Sequence, residues 1–340
     1  MDSVTQIALG AAVGYAVLGR RVGYRAALWG GVCGTLPDLD VFVSMGGPVA
    51  DFTYHRSFSH SLLILPLLVP PITWLILRIH PQTRPYRTGW LWLVLLVLVT
   101  HPLLDSFTIY GTQLFWPLAQ TPIGLGSIFI IDPLYTLPLL AGLIGALSLR
   151  RRPVLAQRFN QAGLLLSSLY LGWSVLIQAH VTHLAEQSLA VGDTPGEKIL
   201  VTPAPFNTLL WRIVAINEQG YQEGYHSLLD DSPRIRFIQY PSSLHLLDNL
   251  QQHWPVARLQ WFTRGFYKVE AQDGYVVISD LRMGAEPDYV FQFKVASISN
   301  PHPSPAPDER ISTPRSWNRV PDLIRRIWIE SEEQTSLSNG

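Results

Sequence analysis

Apolar positions follow two different patterns along the chain. Through the first 190 residues they form long runs, at Val4–Gly19, Ala26–Met45, Ser61–Ile79, Gly89–Leu104, Ile128–Leu149 and Ala162–His180. Each run is near the roughly 20 residues that a helix needs to cross the hydrocarbon core of a bilayer, so the pattern predicts six membrane helices. The first two runs are short and rich in glycine. Gly10 and Gly14 form a GxxxG pair, and Gly30, Gly31 and Gly34 give the second run a small face suited to close helix packing. Beyond about Thr202 the runs shorten and begin to alternate. Trp211–Ile216, Arg234–Ile238, Phe266–Glu270, Tyr275–Asp280 and Tyr289–Val295 read as strands, being β-branched or aromatic. Asp273-Gly274 joins two of them as a hairpin turn. His245–Trp261 reads as a helix and a short link. The expected architecture is an α-helical membrane bundle over residues 1–185, then a C-terminal α+β, mainly antiparallel soluble domain over 195–300. Residues 301–340 are expected to hold a Pro-rich linker (301–307), a short amphipathic helix at Val320–Ile329 that docks on the β domain or lies on the membrane, and a tail.

Charge sharpens this division. Residues 1–190 contain 11 Lys and Arg and 7 Asp and Glu, whereas the remaining 150 positions contain 14 and 18. The first part has the composition of a membrane domain and the second that of a soluble one. The net charge is zero and no basic cluster marks the second part, which argues against a nucleic-acid partner. Cys33 is the only cysteine, so no disulfide framework is built within the chain. No Lys or Arg precedes Arg20, so the positive segment of a cleavable signal peptide is missing. Ten of the eleven basic residues of the first part lie between runs one and two (Arg20, Arg21, Arg25), three and four (Arg78, Arg84, Arg87) and five and six (Arg150, Arg151, Arg152, Arg158). With six spans these loops share one side, the cytoplasm by the positive-inside rule. The expectation is a multi-pass inner-membrane protein with its C-terminal domain on the outer side.

The acids and histidines of the first part gather at the other side, except His80, which lies in an arginine-rich loop. Asp38 and Asp40 end the second run, His55 and His60 precede the third, His101 and Asp105 end the fourth, Asp132 opens the fifth, and His180 and His183 end the sixth. Ionisable groups at membrane depth are costly and mark functional sites. Mixed imidazole and carboxylate donors suit zinc, manganese or iron better than calcium. His101 and Asp105 are four apart and share a helix face. Asp38 and Asp40, so close together, repel unless a cation or proton lies between them. A metal held by such groups lowers the pKa of a bound water and yields a hydrolytic nucleophile. Plainer readings stand beside this one. Asp132 before Pro133 fits a helix N-cap, His180 and His183 fit a helix end, and Arg56 fits either a carboxylate partner or a contact to an anionic substrate. The stretch Phe107–Leu118 is too polar for a span; it reads either as contacts to a substrate or to the metal ligands, or as an interfacial belt around Tyr110 and Trp116.

The motifs Asp2-Ser3-Val4-Thr5-Gln6, Leu36-Pro37-Asp38-Leu39-Asp40, His55-Arg56-Ser57-Phe58-Ser59-His60-Ser61, His101-Pro102-Leu103-Leu104-Asp105, Tyr110-Gly111-Thr112-Gln113 and Asp132-Pro133-Leu134-Tyr135 follow one another in order over residues 1 to about 180. In this order and spacing they resemble the YdjM-type family of inner-membrane proteins, to which a metal-dependent hydrolase activity has been assigned by inference. The family's opening motif often carries a His where this chain has Gln6. A distant similarity of the family to helical zinc-dependent phospholipases C and single-strand nucleases implies a phosphoester substrate, by analogy of fold.

The expected function is a membrane-bound metal-dependent hydrolase acting at the outer membrane face on a phosphoester or lipid-like substrate, with membrane lipid as its partner. The expected metal ligands are Asp38, Asp40, His55, His60, His101, Asp105 and Asp132. Catalytic roles fall to Asp38, Asp40, Asp105 and Arg56, the last as an anion contact. Zinc is the first choice of metal. Two rivals use the same residues: a cation or proton transporter, and a structural membrane protein whose helix bundle a metal stabilises.

Overall fold

A computed structural model describes residues 1–190, 198–298, 302–312 and 320–329. They form two compact units, one of Met1–Val43 with His55–Ser174, the other of Ser44–Tyr54 with Val175–Gly340.

The first unit is helical. Helix α1 (Ser3–Val22) is capped by the Asp2 carboxylate, which accepts from the Val4 and Thr5 amides. It turns back at Gly23, whose φ of 64° no β-carbon favours, into α2 (Tyr24–Thr35). The two lie antiparallel at backbone contact: a β-carbon on Gly10 would stand 2.3 Å from the Gly30 carbonyl oxygen, and one on Gly30 would stand 2.2 Å from that of Gly10. Pro37 opens a 3-10 turn (Pro37–Phe42). After a short α3 (Pro48–Tyr54), which belongs to the second unit, come α4 (Val69–Ile79), α5 (Arg87–Asp105), α6 (Pro133–Ser148) and α7 (Pro153–Ala190). Trp90, Leu93, Val97 and Leu98 of α5 pack with Leu65, Val69, Ile76 and Leu18. Helices α6 and α7 meet where Gly142 faces Gly163.

The expected six spans are not what these helices give. Among the described residues, two are long and apolar enough to cross a membrane, Pro81–Asp105 and Pro153–Ala190, or three if the pair Pro48–His60 and Leu65–Ile79, bent by 61°, counts as one. The apolar runs are there, but the backbone breaks inside them. The second run stops at Pro37, so α2 has 12 residues and is roughly 18 Å long at 1.5 Å per residue. The third is cut by Pro66, Pro70 and Pro71 into a 3-10 turn and the 11-residue α4. The fifth begins as a helix only at Pro133 and yields 16 residues.

Among its described residues the second unit carries ten strands: β1 (Lys198–Pro203), β2 (Leu210–Asn217), β3 (Gly220–Ser227), β4 (Phe237–Pro241), β5 (Tyr267–Gln272), β6 (Tyr275–Asp280), β7 (Gly284–Ala285), β8 (Asp288–Tyr289), β9 (Gln292–Ser297) and β10 (Ser304–Arg310). They form two four-stranded antiparallel sheets, β1-β2-β3-β4 and β10-β9-β6-β5, and the small pair β7-β8. Asp273 and Gly274, both at positive φ, make the expected turn between β5 and β6. The expected helix over His245–Trp261 is a 3-10 turn (Leu244–Leu247) followed by α8 (Trp254–Phe262). Ser304–Arg310, which includes most of the expected linker, is an edge strand with a register shift between Pro305 and Glu309, a setting that tolerates Pro305 and Pro307. Residues 313–319 and the tail from 330 lie outside the described residues. Helix α9 (Val320–Arg326) docks on the β domain, with Arg326 gripping Asp230 at 2.6 and 2.8 Å and Ile327 buried beside Ala204 and Leu210.

Candidate metal centre

Three segments of the first unit meet at one end of α5. Helix α5 runs unbroken through Pro102 and sets His101 and Asp105 on one face, four residues apart. The 3-10 turn contributes Asp38, and a second short 3-10 turn (Phe58–His60) contributes His60. One donor atom from each of these four residues lies within 4.8 Å of the other three. His60 Nε2 is 3.2 Å from His101 Nε2 and 3.2 Å from Asp105 Oδ2. Asp38 Oδ1 is 3.4 Å from His60 Nε2 and 3.5 Å from His101 Nε2, and His101 Nε2 is 3.5 Å from Asp105 Oδ2.

The other nitrogens of the two imidazoles decide what these distances mean. His101 Nδ1 is 2.7 Å from the Gly34 carbonyl oxygen, which can only accept, so Nδ1 carries a proton. Ser59 Oγ donates to Asp40 Oδ2 at 2.6 Å and so accepts from His60 Nδ1 at 2.9 Å. With both Nδ1 atoms protonated, a neutral ring leaves Nε2 as a bare lone pair. The two Nε2 atoms cannot both carry protons and face each other at 3.2 Å. Asp105 Oδ2 accepts no well-aligned hydrogen bond although it is fully buried. At most one Nε2 is therefore protonated, and two imidazoles and two carboxylates turn their donor atoms toward one point, an arrangement that a cation satisfies.

Further groups hold these donors in place. Asp105 Oδ1 accepts from Gln6 Nε2 at 3.0 Å and also meets the Met1 amino group. Arg56 Nε stands 3.3 Å from Asp105 Oδ2, and Arg56 Nη1 donates to Thr108 Oγ1 at 3.3 Å. The Arg56 guanidinium also lies over the Tyr110 ring, with its carbon 5.1 Å from the centroid. Arg56 has a φ of 63°, a left-handed kink that lets the segment fold around Asp40. Asp40 accepts from His55 Nδ1 at 2.9 Å and the Arg56 amide at 3.0 Å as well as from Ser59. Burial raises the Asp40 carboxyl, but His55, His60 and Ser59 together outweigh it and hold the group below its ordinary value.

Of the seven expected ligands, Asp38, His60, His101 and Asp105 come together. Asp40 and His55 do not join them. In a 3-10 turn of three residues per repeat, positions two apart face different ways, so Asp38 turns to the imidazoles while Asp40 turns to the 55–59 segment. His55 is engaged by Asp40. Asp132 caps α6, accepting from the Leu134 and Tyr135 amides, and takes a further bond from the Tyr170 hydroxyl at 2.9 Å. Burial lifts its carboxyl above the ordinary value. His180 and His183 are exposed on α7 and stand outside the group. Arg56, expected as an anion contact, is only 3% exposed and faces Asp105. Ser59 and the Gly34 carbonyl were not singled out by sequence reasoning, whereas Gln6, noted as standing where the family often carries His, donates to Asp105. Ser59 sits inside the His55–Ser61 motif, but its role depends on a backbone kink that the motif does not announce.

A family model, that of the YdjM inner membrane proteins, matches residues 1–181. The chain belongs to the YdjM family. It is also 33% identical over 143 residues to YfhP of Bacillus subtilis (strain 168), itself described as an uncharacterized protein. That match covers 39% of this chain and 42% of YfhP, so the chain spans about two fifths of that relative's length. No solved structure matches the chain. Family membership and the apolar helices make this an inner-membrane protein, and the four donors give it a group that could hold a metal ion.

Proposed function

We propose that the protein is a membrane-bound, zinc-dependent hydrolase whose centre is built by Asp38, His60, His101 and Asp105. The observation that carries this is the spacing of the donors. Four ligands at roughly 2.0–2.1 Å from a tetrahedral zinc stand about 3.3–3.4 Å from one another. Five of the six donor separations at this centre run from 3.2 to 3.5 Å, and the sixth, between Asp38 and Asp105, is within 4.8 Å. Adjacent ligands of an octahedral ion of the same size would stand closer, at about 3.0 Å. A zinc ion held there supplies a Lewis acid and a water of lowered pKa.

The chain's own residues divide the remaining work. His60, His101 and Asp105 are sealed from solvent, while the Asp38 side chain keeps 26% of its surface accessible. Asp38 is therefore the member placed to meet an incoming water and take up its proton. Arg56 balances the buried charge of Asp105. That pairing removes the electrostatic argument for a phosphate at Arg56, and the phosphoester is then carried by family resemblance alone. The positive-inside rule puts the arginine-rich end of the bundle in the cytoplasm and this centre at the outer face.

One observation favours a second reading. Four protein donors close a tetrahedron, which is the habit of structural zinc, whereas catalytic zinc keeps a position open. The accessible Asp38 is the ligand able to yield that position. A transporter fits less well: among the described residues of the first unit, every buried Asp and His lies at this one end. The test combines elemental analysis with turnover of a soluble phosphodiester, bis(p-nitrophenyl) phosphate. His60→Ala and His101→Ala should each lower zinc content several-fold, and the exposed His245→Ala should not. Asp38→Ala should keep zinc on three ligands and lose turnover. Equal zinc in all variants refutes the centre, and full turnover in Asp38→Ala refutes its catalytic role.

A further inference from the structure

The 3-10 turn that supplies Asp38 has an unusual surface. Its buried side is Pro37 and Asp40, Asp38 is half-buried, and the other three residues are apolar and exposed: Leu39 50%, Val41 67% and Phe42 83%, followed by Val43 at 51%. Four large apolar side chains open to the surface beside a buried carboxylate cluster call for a nonaqueous neighbour. Asp38 and Val41, three apart, share one face of the turn. The accessible edge of the donor group and the exposed apolar row are therefore one continuous surface.

The depth of this surface is set by α5. Its first residue is Arg87 and its last is Asp105; 19 residues at 1.5 Å give a length of roughly 28 Å, close to the roughly 30 Å of a bilayer's hydrocarbon core. The neighbouring helices repeat the same polarity. Arg20 and Arg21 end α1 while Gln6 near its start reaches Asp105, and Arg25 begins α2 while Gly34 near its end binds His101. Apart from Arg56, which pairs with Asp105, the bundle thus carries its arginines at one end and its donor group at the other, one hydrocarbon thickness apart. In an inner-membrane protein this sets Leu39, Val41 and Phe42 at the boundary between acyl chains and headgroups.

We propose that the donor group opens into the bilayer rather than into water, and that its substrate is a membrane lipid whose acyl chain lies along Leu39, Val41 and Phe42 with its headgroup linkage at Asp38. The first half of this proposal stands on exposure and depth; the second half rests on the hydrolase reading.

Both halves can be tested on the full-length protein in phosphatidylethanolamine/phosphatidylglycerol nanodiscs. Cys33, the only native thiol, is fully buried, so a nitroxide can be placed selectively at Val41→Cys or Phe42→Cys. Collisions with dissolved oxygen should exceed those with a water-soluble nickel chelate at both positions, and the order should reverse at Asp248→Cys on the exposed surface of the β domain. Equal chelate access at Phe42 and Asp248 overturns the proposal. For the substrate, the double variant Leu39→Ser/Phe42→Ser should retain zinc. Its ratio of turnover on a diacyl phospholipid to turnover on bis(p-nitrophenyl) phosphate should fall at least fivefold. An unchanged ratio overturns the acyl-chain contact. If the native protein hydrolyses neither substrate, the hydrolase reading fails, while the collision measurement still decides whether the turn lies in lipid.

Discussion

Ser59 touches no member of the donor group through a metal-facing atom, yet it fixes the tautomer of one of them. Its hydroxyl passes the hold of Asp40 to His60 Nδ1 through contacts of 2.6 and 2.9 Å. Removing such a support behind a ligand typically costs 10–100-fold in metal affinity. Ser59→Ala should therefore weaken zinc binding by roughly that factor in a chelator competition, with the helical content unchanged. A wild-type affinity would show that His60 is oriented by packing alone. Arg56 gives a second test. Replacing it with Met keeps the stem but leaves Asp105 buried without its guanidinium, a loss of about 3–5 kcal/mol for a buried pair. Arg56→Met should lower both thermal stability and zinc content; a variant that only raises KM for an anionic substrate would return Arg56 to substrate contact. The four donors were legible as His-x(4)-His, His-x(3)-Asp and the carboxylates after Pro37, because these residue types are costly near a membrane. The separation of Asp38 from Asp40 was not legible, since it depends on a 3-10 turn that two aspartates at this spacing do not specify.

At the scale of elements, glycine decides how closely helices approach. Gly30 lies where α1 and α2 touch backbone to backbone, and an added β-carbon would meet the Gly10 carbonyl at 2.2 Å. Neither atom can yield without moving a helix, so Gly30→Ala should destabilise by about 1–3 kcal/mol, the usual cost of overpacking. Gly172 on α7 has nothing within 4 Å of the same position. There Gly172→Ala should gain up to about 1 kcal/mol from helix propensity. Thermal unfolding of the two variants in one detergent checks the contrast, and equal loss in both would refute the contact. The GxxxG spacing made this packing readable. The strands were readable only where they are apolar. β2, β5 and β6 were anticipated, and so was most of β9. β3 was not, because Gly220-Tyr221-Gln222-Glu223-Gly224 carries no alternation. Its buried Glu223 is held by Arg212 of β2 at 2.6 Å, a partner eleven residues away that a local pattern does not disclose.

Across the whole molecule, hydropathy located the apolar runs but not the breaks within them, and those breaks reduce the number of helices able to span. The placement of arginines against acids and histidines survives. Between Arg150 and Tyr170, α7 leads the chain from the arginine end of the first unit to the end where Tyr170 binds Asp132. It has 38 residues, more than a bilayer requires. If α7 crosses the bilayer with the arginine end in the cytoplasm, the residues that follow it emerge on the other side. Reporter fusions should therefore place Thr83, beside Arg84 and Arg87, in the cytoplasm and Gln272, at the β5 end of the β5–β6 turn, outside. The outcome depends on whether α7 crosses the bilayer, not on how many other helices do. Cytoplasmic signals at both positions would mean that α7 lies along the membrane instead. That outcome would overturn the proposed outer location of the β domain and leave the depth of the donor group, which rests on α5, to the collision measurement.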